Sequence, residues 1–244
     1  MPGTAATLAL IGSPAIANYG GFDTTAKVPV GTIVNVQDPV YGGQELIYLK
    51  MPVSQAARVG AVLAYDVVAS YTASLVANTT LLGKPVAFLK NALTSLATAQ
   101  FGWGVIAGSC PVWCDANIAA NTGLGIVAAG QGGAIAAGKS ILNARVTLPS
   151  TTAFVKANTQ AVNASKFLQV LNSDNLFVGQ AVTGTNMGAA VNLITAINAD
   201  GVSIAVSVDS TATGASSVTF TNADATHFFN TVTCNRPMMQ GPIT

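Results

Sequence analysis

Charge is the scarcest thing in this sequence. Asp, Glu, Lys and Arg make up 8% of its 244 residues, against roughly 25% in an ordinary soluble domain. Ten basic and nine acidic residues leave a formal net charge of +1, so neither self-repulsion nor a charged coat keeps copies apart. No basic run occurs, which argues against direct binding of nucleic acid, because phosphate recognition needs clustered Lys and Arg. Copies of such a chain are expected to associate. A stable assembly would bury the uncharged surface in permanent interfaces, which are larger and more apolar than transient ones.

The residues that carry catalysis are equally sparse. His227 is the single histidine and Glu45 the single glutamate, so any Ser-His-Asp or Cys-His arrangement would have to use His227. No H-E-x-x-H, G-x-S-x-G or paired C-x-x-C pattern is present, which removes the defining residues of metal hydrolases, α/β-hydrolases and zinc ribbons. Cys234 with His227 makes a poor metal pair. The eight aspartates could include a glycosidase pair, but Trp103 and Trp113 offer little surface for stacking sugars. The expectation is no enzyme, no cofactor and no metal.

Cysteine is sparse too. Cys110, Cys114 and Cys234 are an odd number in a chain long enough to need no staples. On one extended strand Cys110 and Cys114 would stand about 13 Å apart, too far to bridge. Reduced, partly buried thiols made in a cytoplasm are expected.

Mean hydropathy is nevertheless high, at +0.52, and raises the question of a membrane. The most apolar window, Val59 to Ala77, carries Asp66 near its middle, at an insertion cost of about 3 kcal/mol, and is rich in Ser, Thr and β-branched residues. Two strands turning at Asp66 account for it better than a span. Met1 to Gly12 lacks the positive residues of a secretory signal, and Ala15 and Ala17 after Pro14 only faintly suggest a cleavage site. Met1 to Gly21 reads as an extended arm.

What the chain does have is apolar residues, 50% of the total, enough to offset chain entropy and exclude disorder. They recur with period two, the spacing of strands. Val28, Val30, Val34 and Val36 share a face, with Lys27, Asn35 and Gln37 opposite; Pro29 and Gly31 place this strand at an edge. After turn signals at Asp38-Pro39 and Gly42-Gly43, Glu45 to Val53 returns with Ile47, Leu49, Met51 and Val53 on one side. A short helical turn is expected from Ser54 to Arg58. Phe101 and Trp103 share a face in a segment whose glycines admit a close neighbour. Ile141 to Leu148 is a strand stopped by Pro149. In the second half, Val202, Ile204, Val206 and Val208 alternate with polar or small residues behind an Asp200-Gly201 turn. Val191, Leu193 and Ile197 before it and Val218 and Phe220 after it suggest a small meander, while Lys166 to Leu171 fits strand or helix.

Gly133 to Ser140 satisfies the phosphate-loop pattern G-x-x-x-x-G-K-S. That chemistry needs a long helix after the loop and an acidic Mg²⁺ partner. Ile141 to Leu148 is too short and too β-branched for the helix, and Asp66 and Asp209, the candidate ligands, read as turn residues. An NTPase using Lys139 and Ser140 is a minor alternative.

The run Gly42 to Lys50, then Gly60 to Asp66, then Phe101-Gly102-Trp103-Gly104-Val105 resembles the core pattern of bacteriophage head cement, or decoration, proteins. In that family a strand of the type E-[FL]-I-Y-L-K precedes a V-G-x-x-V-x-Y-D-like segment and an aromatic F-G-W strand. The resemblance covers about residues 25 to 150, including the Gly- and Ala-rich loop from Ala129 to Pro149. Leu176 to Phe220 is similar to a β module of phage structural proteins. The resemblance implies a homotrimer or other symmetric cluster on the outer surface of a capsid, made in the host bacterial cytoplasm and bound to the major capsid protein without a cofactor. Ile47, Tyr48, Leu49, Phe101, Gly102, Trp103 and Gly104 would be its structural core motif. A tail or fibre subunit is the nearest alternative, and a bacterial surface or adhesin domain a more distant one.

The expected fold is therefore all-β. It comprises an extended N-terminal arm (residues 1–24), a β-barrel or β-sandwich domain (25–150) and a smaller antiparallel β domain (151–244).

Overall fold

The computed structural model describes residues 21–38, 41–80, 82–93, 95, 98–150, 153–173, 176, 178–188, 192–198, 200–221 and 228–241. The fold is all-β, with no helix among the described residues. The strands are β1 (Ile33–Asp38), β2 (Gly42–Lys50), β3 (Val62–Asp66), β4 (Thr72–Leu75), β5 (Val86–Leu89), β6 (Phe101–Cys114), β7 (Gly123–Ala128), β8 (Gln131–Gly133) and β9 (Ser140–Leu148). They continue with β10 (Ala153–Ala161), β11 (Phe167–Gln169), β12 (Ala181–Gly184), β13 (Asn192–Ile197), β14 (Ser203–Val206), β15 (Gly214–Thr221) and β16 (Phe228–Met239).

Ten strands form one sheet in the order β1-β2-β4-β3-β5-β6-β16-β9-β7-β8, and pairings of β6 with β2 and β8 fold it back on itself. Two rings result. The first runs β2-β4-β3-β5-β6 and closes through the antiparallel β2–β6 ladder; the second runs β6-β16-β9-β7-β8 and closes where Cys114 meets Gly132. The 14-residue β6 belongs to both. Near its midpoint is Gly108, at φ +97°, where a Cβ would collide with the Gly43 carbonyl oxygen, so no side chain fits there.

Both faces of β2, β3, β5 and the first half of β6 are buried. Leu46, Tyr48, Val62, Ala64, Val86, Phe88, Trp103 and Val105 enter the large core. The alternate residues Ile47, Leu49, Ala61, Leu63, Ala73, Ala87, Leu89 and Ile106 fill a second cluster. Strands covered on both sides read as continuous apolar runs, which accounts for the Ala61 to Ala64 part of the Val59 to Ala77 window. Within it β3 and β4 pair antiparallel and turn at Asp66, whose Oδ1 accepts from the amides of Val68 (3.0 Å) and Ala69 (3.2 Å). Those bonds hold the exposed carboxyl below its ordinary value.

The remaining strands close a separate barrel, β10-β11-β14-β13-β12-β15. Its interior is Ala161, Leu168, Val182, Ile194, Ile204, Val206, Val218 and Phe220, and the residues between them face outward, the alternation of a one-sided wall. Lys166 to Leu171 resolves as strand β11. The expected meander is only half present: β13 and β14 pair, but β15 crosses to lie between β10 and β12. Closing a barrel requires such a crossing strand, and local alternation carries no sign of it. Val191 lies outside the described residues.

The expected division at residue 151 needs correction. Only residues 153–221 build the barrel, and β16 returns to pair with both β6 and β9. The barrel is thus inserted into the ringed sheet between adjacent attachment points, since Leu148 faces Thr231 and Ala153 faces Thr221. Asn230, fully buried, fastens the junction: its Oδ1 accepts from the Ile118 (3.1 Å) and Ser150 (2.9 Å) amides and its Nδ2 donates to the Ala116 carbonyl (3.1 Å).

Two smaller expectations also change. Ser54 to Arg58 forms no helical turn; Ala57 instead bridges Leu93, because the apolar Ala57 is drawn into the second cluster. The first strand starts at Ile33 rather than Val28, because Gly31, at φ +85°, turns the chain against the Tyr71 ring. Val28 and Val30 still pack on the large core. Of the expected arm, residues 1–20 lie outside the described residues, whereas 21–24 lie against the sheet.

Candidate functional site

The motif residues singled out in the sequence come from segments about fifty positions apart, and the fold sets them side by side. In the β2–β6 ladder Ile47 faces Gly104, Tyr48 faces Trp103 and Leu49 faces Gly102. Tyr48 and Trp103 are buried with ring centroids 4.8 Å apart, tilted by 49°, and the Phe101 ring stacks on Tyr48 at 6.2 Å. Such tilted and offset pairs add about 0.5–1.5 kcal/mol beyond their area.

The glycines between the aromatics serve close approach. A Cβ on Gly104 would stand 2.7 Å from the Ala87 Cβ, and one on Gly102 would stand 2.5 Å from the Phe22 ring. Phe22 belongs to the docked root of the N-terminal segment. Asp23 forms a two-way backbone bridge with Phe101, both bonds 2.8 Å long. Its Oδ2 also accepts a 2.7 Å hydrogen bond from the Tyr48 hydroxyl, to which the Lys27 amide donates at 3.3 Å. Burial, reinforced by Asp23, pushes the Tyr48 hydroxyl up to about 12. The arrangement is a half-buried seat for Phe22 and Asp23 against β6. Sequence reasoning named these residues as a structural core motif and missed Phe22 and Asp23; the available signal was that Asp23 is the first charged residue after twenty-two uncharged ones.

The other sequence candidates do not converge. Gly133 ends β8 and Ser140 opens β9, so a strand stands where a phosphate loop needs its helix. Lys139 donates from Nζ to Asn78 Oδ1 at 2.8 Å. Asp209 is exposed just after a bend, and Glu45 pairs with Arg236 at 2.7 Å. His227 lies outside the described residues. Cys110, Cys114 and Cys234 are buried free thiols, and desolvation raises Cys110 well above its ordinary value and Cys114 to about 12. Among the described residues no three His, Cys, Asp or Glu side chains are grouped to hold a metal, and no helix is long and apolar enough to cross a membrane.

An open cleft of about 480 Å³ lies beside the β6–β7 connection, lined by Asp115, Asn117, Ile118, Thr122, Val127 and Ile135 among others. Among the described residues Asp115 is the one titratable group that lines it. A buried ion pair joins Lys90 to Asp38, and Lys90 also donates to Gln44 Oε1 at 3.0 Å. It ties β5 to the β1–β2 hairpin. No family model, no curated protein and no solved structure matches this chain.

Proposed function

We propose that the protein is a structural component of a bacteriophage particle that decorates and stabilises the head by binding between major capsid protein subunits. One observation carries the reading: two motif segments that resemble the cement-protein pattern pair in register and form a single seat for the N-terminal segment. The scarcity of charge supports it, because a surface with so few ionic groups suits permanent contact with neighbours. On this reading the protein is no enzyme and takes no cofactor. Its work is burial of β surface against the shell and against copies of itself, as a homotrimer or similar cluster, which holds an expanded head against the pressure of packaged DNA.

The test is biochemical. Purified particles resolved on a gel should contain this chain, and particles made without it should release DNA at a lower temperature. Absence from the particle, or equal heat resistance, overturns the proposal. A tail or fibre subunit would share the composition; immunogold label confined to the tail would favour it.

A further inference from the structure

Among the described residues, fifteen of the sixteen strands belong to closed rings, either the two rings of the sheet or the barrel. The exception is β1, which pairs with β2 alone. From Ile33 to Gln37 its outer edge faces no other strand among the described residues.

Proteins guard open edges with Lys, Pro, bulges or inward charges, because unpaired N–H and C=O groups invite another chain. Ile33-Val34-Asn35-Val36-Gln37 has none of these devices, and Ile33 is 42% exposed. Near-zero net charge removes the remaining obstacle to pairing.

The chain also supplies a strand to fill the edge. Residues 1–22 carry no charge, and within them Ala6 to Ile11 is a short apolar run interrupted only by Thr7 and followed by Gly12-Ser13-Pro14, a length and composition compatible with one added strand. Their root is fixed where Asp23 bridges Phe101. That bridge occupies the edge of β6 opposite β2, since Phe101 also faces Lys50. The root is therefore three strand spacings, about 14 Å, from the open edge of its own β1. Both faces of the intervening β2 and β6 are already covered by core. Twenty extended residues reach up to about 70 Å, far enough to meet a neighbouring molecule without recrossing their own sheet.

We infer that the open edge of β1 is an exchange site, filled by the uncharged N-terminal run, centred on residues 6–11, of a second copy of this chain. Main-chain hydrogen bonds supply the affinity and the alternate side chains the register, as in β-strand addition. The exchange requires no capsid, so it stands or falls separately from the proposed place of the protein on a phage head.

Two chains with one added cysteine each test it, Asn35→Cys on the exposed face of β1 and Ala9→Cys in the N-terminal run. Neither can cross-link within itself through the new thiol, and the native cysteines are buried. Co-expressed and mildly oxidised, the two are expected to give a disulfide-linked pair containing one chain of each kind, while Asn35→Cys alone gives none. A linked pair from Asn35→Cys alone would mean that β1 edges pair with each other, and absence of the mixed pair would mean that the run does not reach the edge; either overturns the inference. Asn35→Lys should weaken self-association in sedimentation at least tenfold with an unchanged circular dichroism spectrum. Undiminished association of that variant overturns the inference as well.

Discussion

The ringed sheet and the barrel are built from similar residues and hide them differently. In the sheet, β2, β3, β5 and the first half of β6 bury both faces, so neighbouring positions such as Leu46 and Ile47 are both inaccessible. In the barrel one face of each strand is buried and the other meets solvent, as in β14, where Ile204 and Val206 point in and Ser203 and Ala205 outward. All the described Tyr, Trp and Cys side chains lie in the sheet unit, and residues 153–221 contain none of these types. The lesson is that a poverty of charge has two outlets within one chain: a layered interior, and a one-sided wall whose outer positions mix Thr, Ser and Ala with the exposed Val155 and Phe167.

If the two regions are separate cores, cavities in them should act separately. Leu63→Ala in the sheet and Phe220→Ala in the barrel, both at fully buried positions, should each cost about 3–5 kcal/mol of their own unit's stability. In urea unfolding, tryptophan fluorescence, which reports only the sheet unit, should shift for Leu63→Ala and stay in place for Phe220→Ala. A shift of equal size for both would merge the two regions into one cooperative body.

The barrel's alternation was legible in the sequence because each strand has one buried face: Val202 to Val208 behind Asp200-Gly201 reads directly as β14 and its flanks. β1 and β9 were legible for the same reason. The two rings were not, because two-sided burial erases the alternation that distinguishes strand from generic apolar run. β16 was hidden as well: Arg236-Pro237 reads as a break, whereas the strand absorbs it in a bulge between Cys234 and Met238, with Arg236 at φ +50°. The motif residues were recognised, but that they form a seat for Phe22 and Asp23 depends on a contact across nearly eighty positions, which no local pattern encodes.

A gentler way to break the comparison is to remove one region. Joining Ser150 to Phe228 through a short Gly-Ser linker in place of the barrel should leave the sheet unit folded, because Ser150 is already held to Asn230 at 2.9 Å. Its fluorescence-monitored unfolding free energy should change by about 1 kcal/mol or less, as for independent sites. Collapse of the remaining sheet would show that the barrel supports it.

The smallest expected effect is alkaline. Tyr48, at about 12 in the folded protein, and Tyr41 and Tyr65, raised by burial, all hold their protons more tightly folded than unfolded. A group raised on folding contributes stability that is complete below its unfolded value, near 10 for tyrosine. For Tyr48 that contribution is lost as pH rises from about 10 through about 12. The sheet unit should therefore loosen in that window, followed by tyrosinate absorbance, while the barrel, with no such groups, keeps its far-ultraviolet signal. Simultaneous loss of both would contradict the separation.

The claim that the chain is a fixed part of a phage head is tested most directly by cryo-electron microscopy of heads made with and without it. Added density on the outer surface, over the joins between capsid subunits, is the expected result. Identical heads in the two preparations, or added density on the tail alone, would contradict the account.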